Sequence, residues 1–197
     1  GFDYEVLRFY NISSKDHFDE MLADNDFVLQ VKKNGSYGFI NIHNKPVVPL
    51  EYDSIRYRQN TSFPASKAGK WGLINLKGEV KLPFQYEEIE GIENTYQVKN
   101  KDGKGIISKE GKSLLPVQYA AIEYFKNSAL KGTPYYIVTD KNSKKGVWDT
   151  KTHTLYIPVL YDKIADVCEG NFIVVRNNKY GVMDAKNKVL IPCEYDY

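Results

Sequence analysis

The chain has 197 residues, 27 Lys and Arg against 25 Asp and Glu, a formal net charge of +2 and 42% hydrophobic residues. That is length for one large domain or two small ones, with apolar surface enough to bury a core. So balanced a charge is not that of a dedicated nucleic-acid binder. No apolar run approaches the ~18 residues of a membrane span, and two cysteines supply neither a disulfide scaffold nor a zinc site.

The chain opens on Gly1, which reads as a scar of processing and leaves room for an export signal ahead of it. Residues 11–25 interrupt what otherwise becomes a regular pattern. Ser13 or Ser14, followed by Asp16 or His17, opens a stretch with Phe18, Met21 and Leu22 at helical spacing, which predicts a short capped amphipathic helix over 13–23. Such a helix serves either as a lid over the β-structure or as a docking element. Residues 1–26 hold seven acids and two bases, a net of −5, which leaves +7 for the rest of the chain. The acidic segment could therefore lie on a basic surface of the same molecule.

From residue 27 onward the chain repeats itself. Glycines stand in Tyr37-Gly38, Trp71-Gly72, Lys104-Gly105, Lys145-Gly146 and Tyr180-Gly181, each followed by an apolar pair. A proline follows at Pro49, Pro83, Pro116, Pro158 and Pro192, and a tyrosine three residues later at Tyr52, Tyr86, Tyr119, Tyr161 and Tyr195. Between the apolar pair and the proline run Asn41-Ile-His-Asn44, Asn75-Leu-Lys-Gly78, Ser108-Lys-Glu-Gly111 and Asp184-Ala-Lys-Asn187. A capping side chain first and Gly or Asn fourth is the chemistry of a type I turn closed by a left-handed residue, hence of a bulged hairpin. The fourth copy, Asp149 to Thr154, is longer and lacks the Gly or Asn, so its turn should be distorted. A second insertion, around Lys126–Pro134, reads as an irregular loop.

The consecutive apolar residues after each glycine suit a strand covered on both faces. The strand after the hairpin should be an edge strand ending at its proline, which lacks an N–H for a ladder. A strand beginning at each tyrosine and one holding the earlier aromatic (Phe27, Phe63, Tyr96, Tyr136, Phe172) complete four strands per unit. The units run about 2–51, 52–85, 86–118, 119–160 and 161–194, within a single domain over 1–197. No such unit buries both faces alone, so the expected fold is all-β, with five short four-stranded repeats and one short helix near the N-terminus. Two arrangements fit: a small five-bladed β-propeller, or an open twisted stack of the same sheets.

Lys70-Trp71-Gly72-Leu73-Ile74-Asn75, then Gly78, Leu82-Pro83, Tyr86 and Ile89, resemble the WG-repeat (KWG-repeat) family over essentially residues 27–197. Only the second unit keeps the tryptophan, and Ala120 departs from the acidic position after the tyrosine. The resemblance implies a bacterial β-propeller-like repeat protein, commonly exported or envelope-associated, and it brings no catalytic residues.

No residue pattern specifies chemistry, and no cofactor is expected. His17, His43 and His153 lack ligand spacing, so no metal site is expected. Cys193 stands where other units have Leu50, Phe84, Val117 and Val159, as a buried structural thiol would, though a disulfide with Cys168 stays open. Asp53, Glu87 and Asp162 recur beside the tyrosine, where turn capping is the plain explanation. The expectation is a non-catalytic interaction module for a protein or polymer partner, with neither nucleic acid nor a transmembrane segment involved. The alternative is a glycan-binding or glycan-processing propeller of the cell envelope. The candidate face joins the loops after the prolines (Glu51, Gln85, Gln118, Glu194) as a polar centre with the loops before the glycines as a basic, aromatic rim. That rim holds Lys32, Lys33, Tyr37, Lys70, Trp71, Lys144 and Tyr180, together with Lys101, Lys104, Lys141, Lys145 and Lys179. The structural reading is that lysines only keep hairpin tips solvated. The functional reading is that the rim receives an acidic protein surface, an anionic polymer or a glycan.

Overall fold

The computed structural model describes residues 4–11, 27–57, 62–92, 94–125, 135–168, 171–184 and 186–196. The helix expected over 13–23 and the loop expected at 126–134 lie outside them; among the described residues there is no helix. The strands form five four-stranded antiparallel sheets, each a meander in chain order. The first holds β1 (Glu5–Asn11), β2 (Phe27–Lys33), β3 (Ser36–Asn41) and β4 (Pro46–Tyr52). The second holds β5 (Ser54–Ile55), β6 (Phe63–Lys67), β7 (Lys70–Ile74) and β8 (Val80–Tyr86). The third holds β9 (Glu88–Ile92), β10 (Thr95–Asn100), β11 (Gly103–Ser108) and β12 (Ser113–Tyr119). β13 (Ala121–Tyr124), β14 (Tyr135–Thr139), β15 (Lys145–Asp149) and β16 (Thr154–Tyr161) make the fourth. β17 (Lys163–Cys168), β18 (Asn171–Arg176), β19 (Lys179–Met183) and β20 (Val189–Tyr195) make the fifth.

Local turn chemistry sets these meanders. In the first sheet the Asn44 N–H donates to the Asn41 carbonyl at 3.0 Å, and Asn41 Oδ1 accepts from the His43 and Lys45 amides. Asn75, Ser108 and Asp184 cap the same turn in their own sheets. Positive φ falls on Asn44 (61°), Gly78 (76°), Gly111 (86°) and Asn187 (62°), where the repeat placed Gly or Asn. The fourth sheet makes its longer turn with His153 at φ 54°, its ring stacked on Trp148.

The strand after that hairpin does not stop at its proline. β4 runs through Pro49 to Tyr52, and the equivalents do the same. The proline is accommodated because this is an edge strand and because the ladder bulges there: Tyr37 pairs with Tyr52 but Phe39 with Val48. The bulged backbone presses onto the glycine opposite. A Cβ on Gly38 would stand 2.7 Å from the Val48 carbonyl oxygen, and one on Gly72 2.5 Å from that of Leu82. Gly105, Gly146 and Gly181 meet the equivalent carbonyls at 2.6–2.7 Å. The repeated glycine is thus fixed by close backbone approach at ordinary φ.

The chain divides into two compact units, residues 1–98 with 107–112, and 99–106 with 113–197, the division passing through the third sheet. In the first unit, Val28, Phe39, Val48 and Tyr52 of the first sheet pack with Ile55, Phe63, Ala65 and Ile74 of the second. In the second unit, Val147, Ile157 and Tyr161 of the fourth sheet pack with Ile164, Phe172, Val174 and Met183 of the fifth. Each such aliphatic or aromatic side chain contributes about 1.5–3 kcal/mol by burial. The tyrosine after the proline joins these clusters, Tyr52 in the first unit and Tyr161 in the second. The fifth sheet differs: Ile191 is 43% and Tyr195 59% exposed, whereas Val48, Leu82, Leu115 and Ile157 are at most 6% and the four other tyrosines at most 8%.

Candidate binding face

One end of each sheet carries the turn between its second and third strands. Asn34-Gly35, Ala68-Gly69 and Asn177-Asn178 each hold two successive positive φ values, the two-residue turn whose twist matches the flanking strands. These three are alike because that twist match selects one form. The fourth sheet uses a longer turn, capped by Asp140 Oδ1 accepting from the Asn142 and Lys144 amides.

The acid after the tyrosine ties this end together. Asp53 Oδ2 accepts from the Gly69 N–H at 2.9 Å, and Asp162 Oδ2 from the Asn177 N–H at 2.7 Å. In these two cases the connection leaving one sheet caps the turn of the next. The Lys144 ammonium also hydrogen-bonds Asp162, and this, with the Asn177 amide, holds the carboxyl below its ordinary range.

The structure sorts the expected rim. Lys32 lies 5.2 Å from the Tyr37 ring and Lys33 5.2 Å from that of Tyr4. Lys179 pairs with Asp196, and Lys145 donates to Thr139. Trp71 is half-buried with the Arg56 guanidinium 4.0 Å from its ring centre, and Tyr180 is half-buried opposite Tyr195. Lys104 is half-buried, while Lys70, Lys101 and Lys141 project from the turns into solvent. Glu51, Gln85, Gln118 and Glu194 are exposed on the fourth, edge strand of their sheets, one residue before the tyrosine, because the strand continues where a loop was expected. Glu51 pairs with Lys67 at 3.0 Å.

The repeat's glycine, its bulged proline strand and its seam tyrosine are now physically accounted for, and a sequence profile described as the WG containing repeat matches residues 37–62, 71–104 and 180–197. These three stretches of the chain are WG repeats. No curated protein matches it in sequence. Among solved structures, the chain is similar to PorZ, a surface component of the type-IX secretion system of Porphyromonas gingivalis. That likeness has 9% identity and a TM-score of 0.34, over 86% of this chain and 27% of that one. It is also similar to the WD40 β-propeller domain of Doa1 (10% identity, TM-score 0.31, 100% of this chain and 72% of that one). A third is the WD40 domain of SCAP from fission yeast (8% identity, TM-score 0.28, 98% and 57%).

Other positions bear on chemistry. Cys193 is a half-buried free thiol whose pKa burial pushes up, the condition of an unreactive side chain. His43 sits in an exposed turn and His153 against Trp148, and no three His, Cys, Asp or Glu side chains converge among the described residues. No helix among them is long and apolar enough to cross a membrane.

Proposed function

We propose that this chain is a non-catalytic interaction module that engages an acidic protein surface or anionic polymer through the turn-bearing ends of its sheets. The observation that carries this reading is the division of labour at those ends. Carboxylates after the tyrosines hold the turns from within, as Asp53 holds Gly69 and Asp162 holds Asn177. The exposed lysines Lys70, Lys101 and Lys141 take no part in that capping. A rigid turn presenting spare cations is what a partner of opposite charge recognises. The lectin-like alternative is less favoured, since it needs open aromatic platforms and Arg56 stacks on Trp71. The family resemblance adds the expectation of an exported bacterial setting, which fractionation of the native host checks.

The test uses polyglutamate and polygalacturonate as immobilised probes. The Lys70→Glu/Lys101→Glu/Lys141→Glu variant should lose binding by at least about tenfold, the scale of a few lost ion pairs. Reversal of Lys77, Lys112 and Lys186 at the opposite hairpins should leave it unchanged. Equal loss in both variants would reduce the effect to net charge and overturn the assignment. Turnover in a broad hydrolase screen, abolished by one carboxylate substitution, would overturn the non-catalytic reading.

A further inference from the structure

The repeat does not account for the charge of one cavity in the first unit. About 350 Å³ in volume, it is lined by Arg8, Tyr10, Gln30, Arg56 and Tyr57, with Leu7 and Ile55 as its aliphatic members. The position of Arg56, four past the seam tyrosine, holds Glu90, Glu123 and Ala165 in the following units. That of Gln30 holds Pro64, Gln97, Ile137 and Ile173, so the glutamine recurs once. Arg8 stands where β1 bulges against β2, a shift between Val6 and Arg8. Arg56 is thus a local departure from the pattern.

Their arrangement is also ordered. The Arg56 guanidinium is held by the Trp71 ring and by donation to the Ile89 carbonyl at 3.2 Å. Tyr10 donates to Gln30 Oε1 and Gln30 Nε2 to the Ile55 carbonyl, both at 3.1 Å, which fixes the amide and the Tyr10 phenol. The Tyr10 and Tyr57 rings meet edge to face at 4.3 Å. Two guanidinium groups and two phenol rings therefore face one space, with no carboxylate among the described residues that line it. Its volume is at the small end of the ~300–1,000 Å³ typical of ligand sites, enough for one ring and its substituent.

We infer that this cavity binds an organic carboxylate with a flat apolar body, its carboxylate paired by Arg8 and Arg56 and its body against Tyr10 and Tyr57. A neutral ligand would leave both guanidinium groups uncompensated, and a bare inorganic anion would leave the rings unused. The same chemistry can come from a free aromatic acid or from a peptide ending in an aromatic residue. The site shares no residue with the turn lysines and stands independently of the partner proposal.

The test is a two-dimensional NMR titration of the whole chain with 4-hydroxyphenylacetate, its neutral amide 4-hydroxyphenylacetamide, and N-acetyl-Gly-Gly-Phe with a free carboxylate. Saturable shifts are expected at the amides of residues 7–10 and 55–57 with the free acid or the peptide, and the tighter of the two identifies the source. The amide should bind at least about tenfold more weakly, the scale of one charge-assisted pair. Arg8→Gln should weaken the acid by a similar factor. It is the main variant because Arg56→Gln also removes the contacts to Trp71 and Ile89. Shifts that never saturate, an amide that binds as tightly, or Arg8→Gln binding like wild type would each overturn the site.

Discussion

Gly72 and Gly78 lie close in sequence and answer to different physics. Gly72 has ordinary φ, but a Cβ there would sit 2.5 Å from the Leu82 carbonyl and 3.0 Å from the Phe84 ring. Gly72→Ala must push the bulged strand away and should cost about 1–3 kcal/mol, as overpacking does. Gly78 holds φ 76° with only Pro49 Cδ at 3.5 Å from a built Cβ, and Asn44 and Asn187 occupy its position elsewhere. Gly78→Asn should therefore stay within about 0.5 kcal/mol of wild type, whereas Gly78→Val should lose ~1–2 kcal/mol to the left-handed strain. Gly111 combines both constraints, φ 86° and the Lys81 carbonyl at 2.5 Å, so Gly111→Asn should cost about as much as Gly72→Ala. Urea unfolding of the four variants separates them; a loss for Gly78→Asn as large as that for Gly72→Ala would refute the distinction. Asp162 gives a pH signature at the same scale. Its folded pKa is lowered by Lys144 and the Asn177 amide, so its contribution is present above the unfolded value of ~3.9 and lost as pH falls through the folded one. Asp162→Asn should flatten the acid limb of a melting-temperature profile below about pH 4 and leave its slope near neutrality unchanged. An unaltered acid limb would show that the pairing does not persist in solution.

Within a sheet, the devices legible in the sequence were those whose chemistry is local. Asn41, Asn75, Ser108 and Asp184 cap turns a few residues away, and Asn44, Gly78, Gly111 and Asn187 take the positive φ their side chains permit. What escaped the sequence depends on approaches across strands. Nothing in Gly38 announces that the Val48 carbonyl crosses it, and Pro49 looks like a strand end until the bulge lets β4 run on to Tyr52. The same omission misplaced Glu51, Gln85, Gln118 and Glu194 in loops. The cavity's Arg8 and Arg56 were invisible because they stand outside the repeated positions. Sheet-to-sheet packing makes its own prediction. Ile157 and Ile191 occupy one repeat position, buried in a seam in the fourth sheet and 43% exposed in the fifth. Ile157→Ala should destabilise by about 2–5 kcal/mol through the lost methyls and the cavity left behind. Ile191→Ala should cost less than about 1 kcal/mol, as surface substitutions do. Comparable losses in chemical denaturation would mean that the fifth sheet is covered in solution as the others are.

Across the molecule, stability should be distributed as the cores are. Val28, Phe39, Val48, Phe63 and Ile74 form a cluster drawn entirely from the first compact unit. Ile106, Trp148, Val147, Ile157 and Phe172 belong to clusters drawn entirely from the second. Repeat proteins approximate sums of unit stabilities and nearest-neighbour seams, so damage to one seam need not be shared by all. Leu73 is fully buried in β7, and Leu73→Ala should remove about 2–5 kcal/mol from the unit that contains it. Native-state hydrogen exchange should then show faster amides in β2, β3, β6 and β7, while the amides of β15, β18 and β19 keep wild-type protection. The reciprocal variant Ile157→Ala should expose β15, β18 and β19 and spare β2 and β3. If either substitution accelerates both groups equally, the chain unfolds as one cooperative body and its units carry no separate stability. If the protection splits, a partner seated on the turns of one unit raises protection there alone, so the same amides that report stability also locate the bound unit.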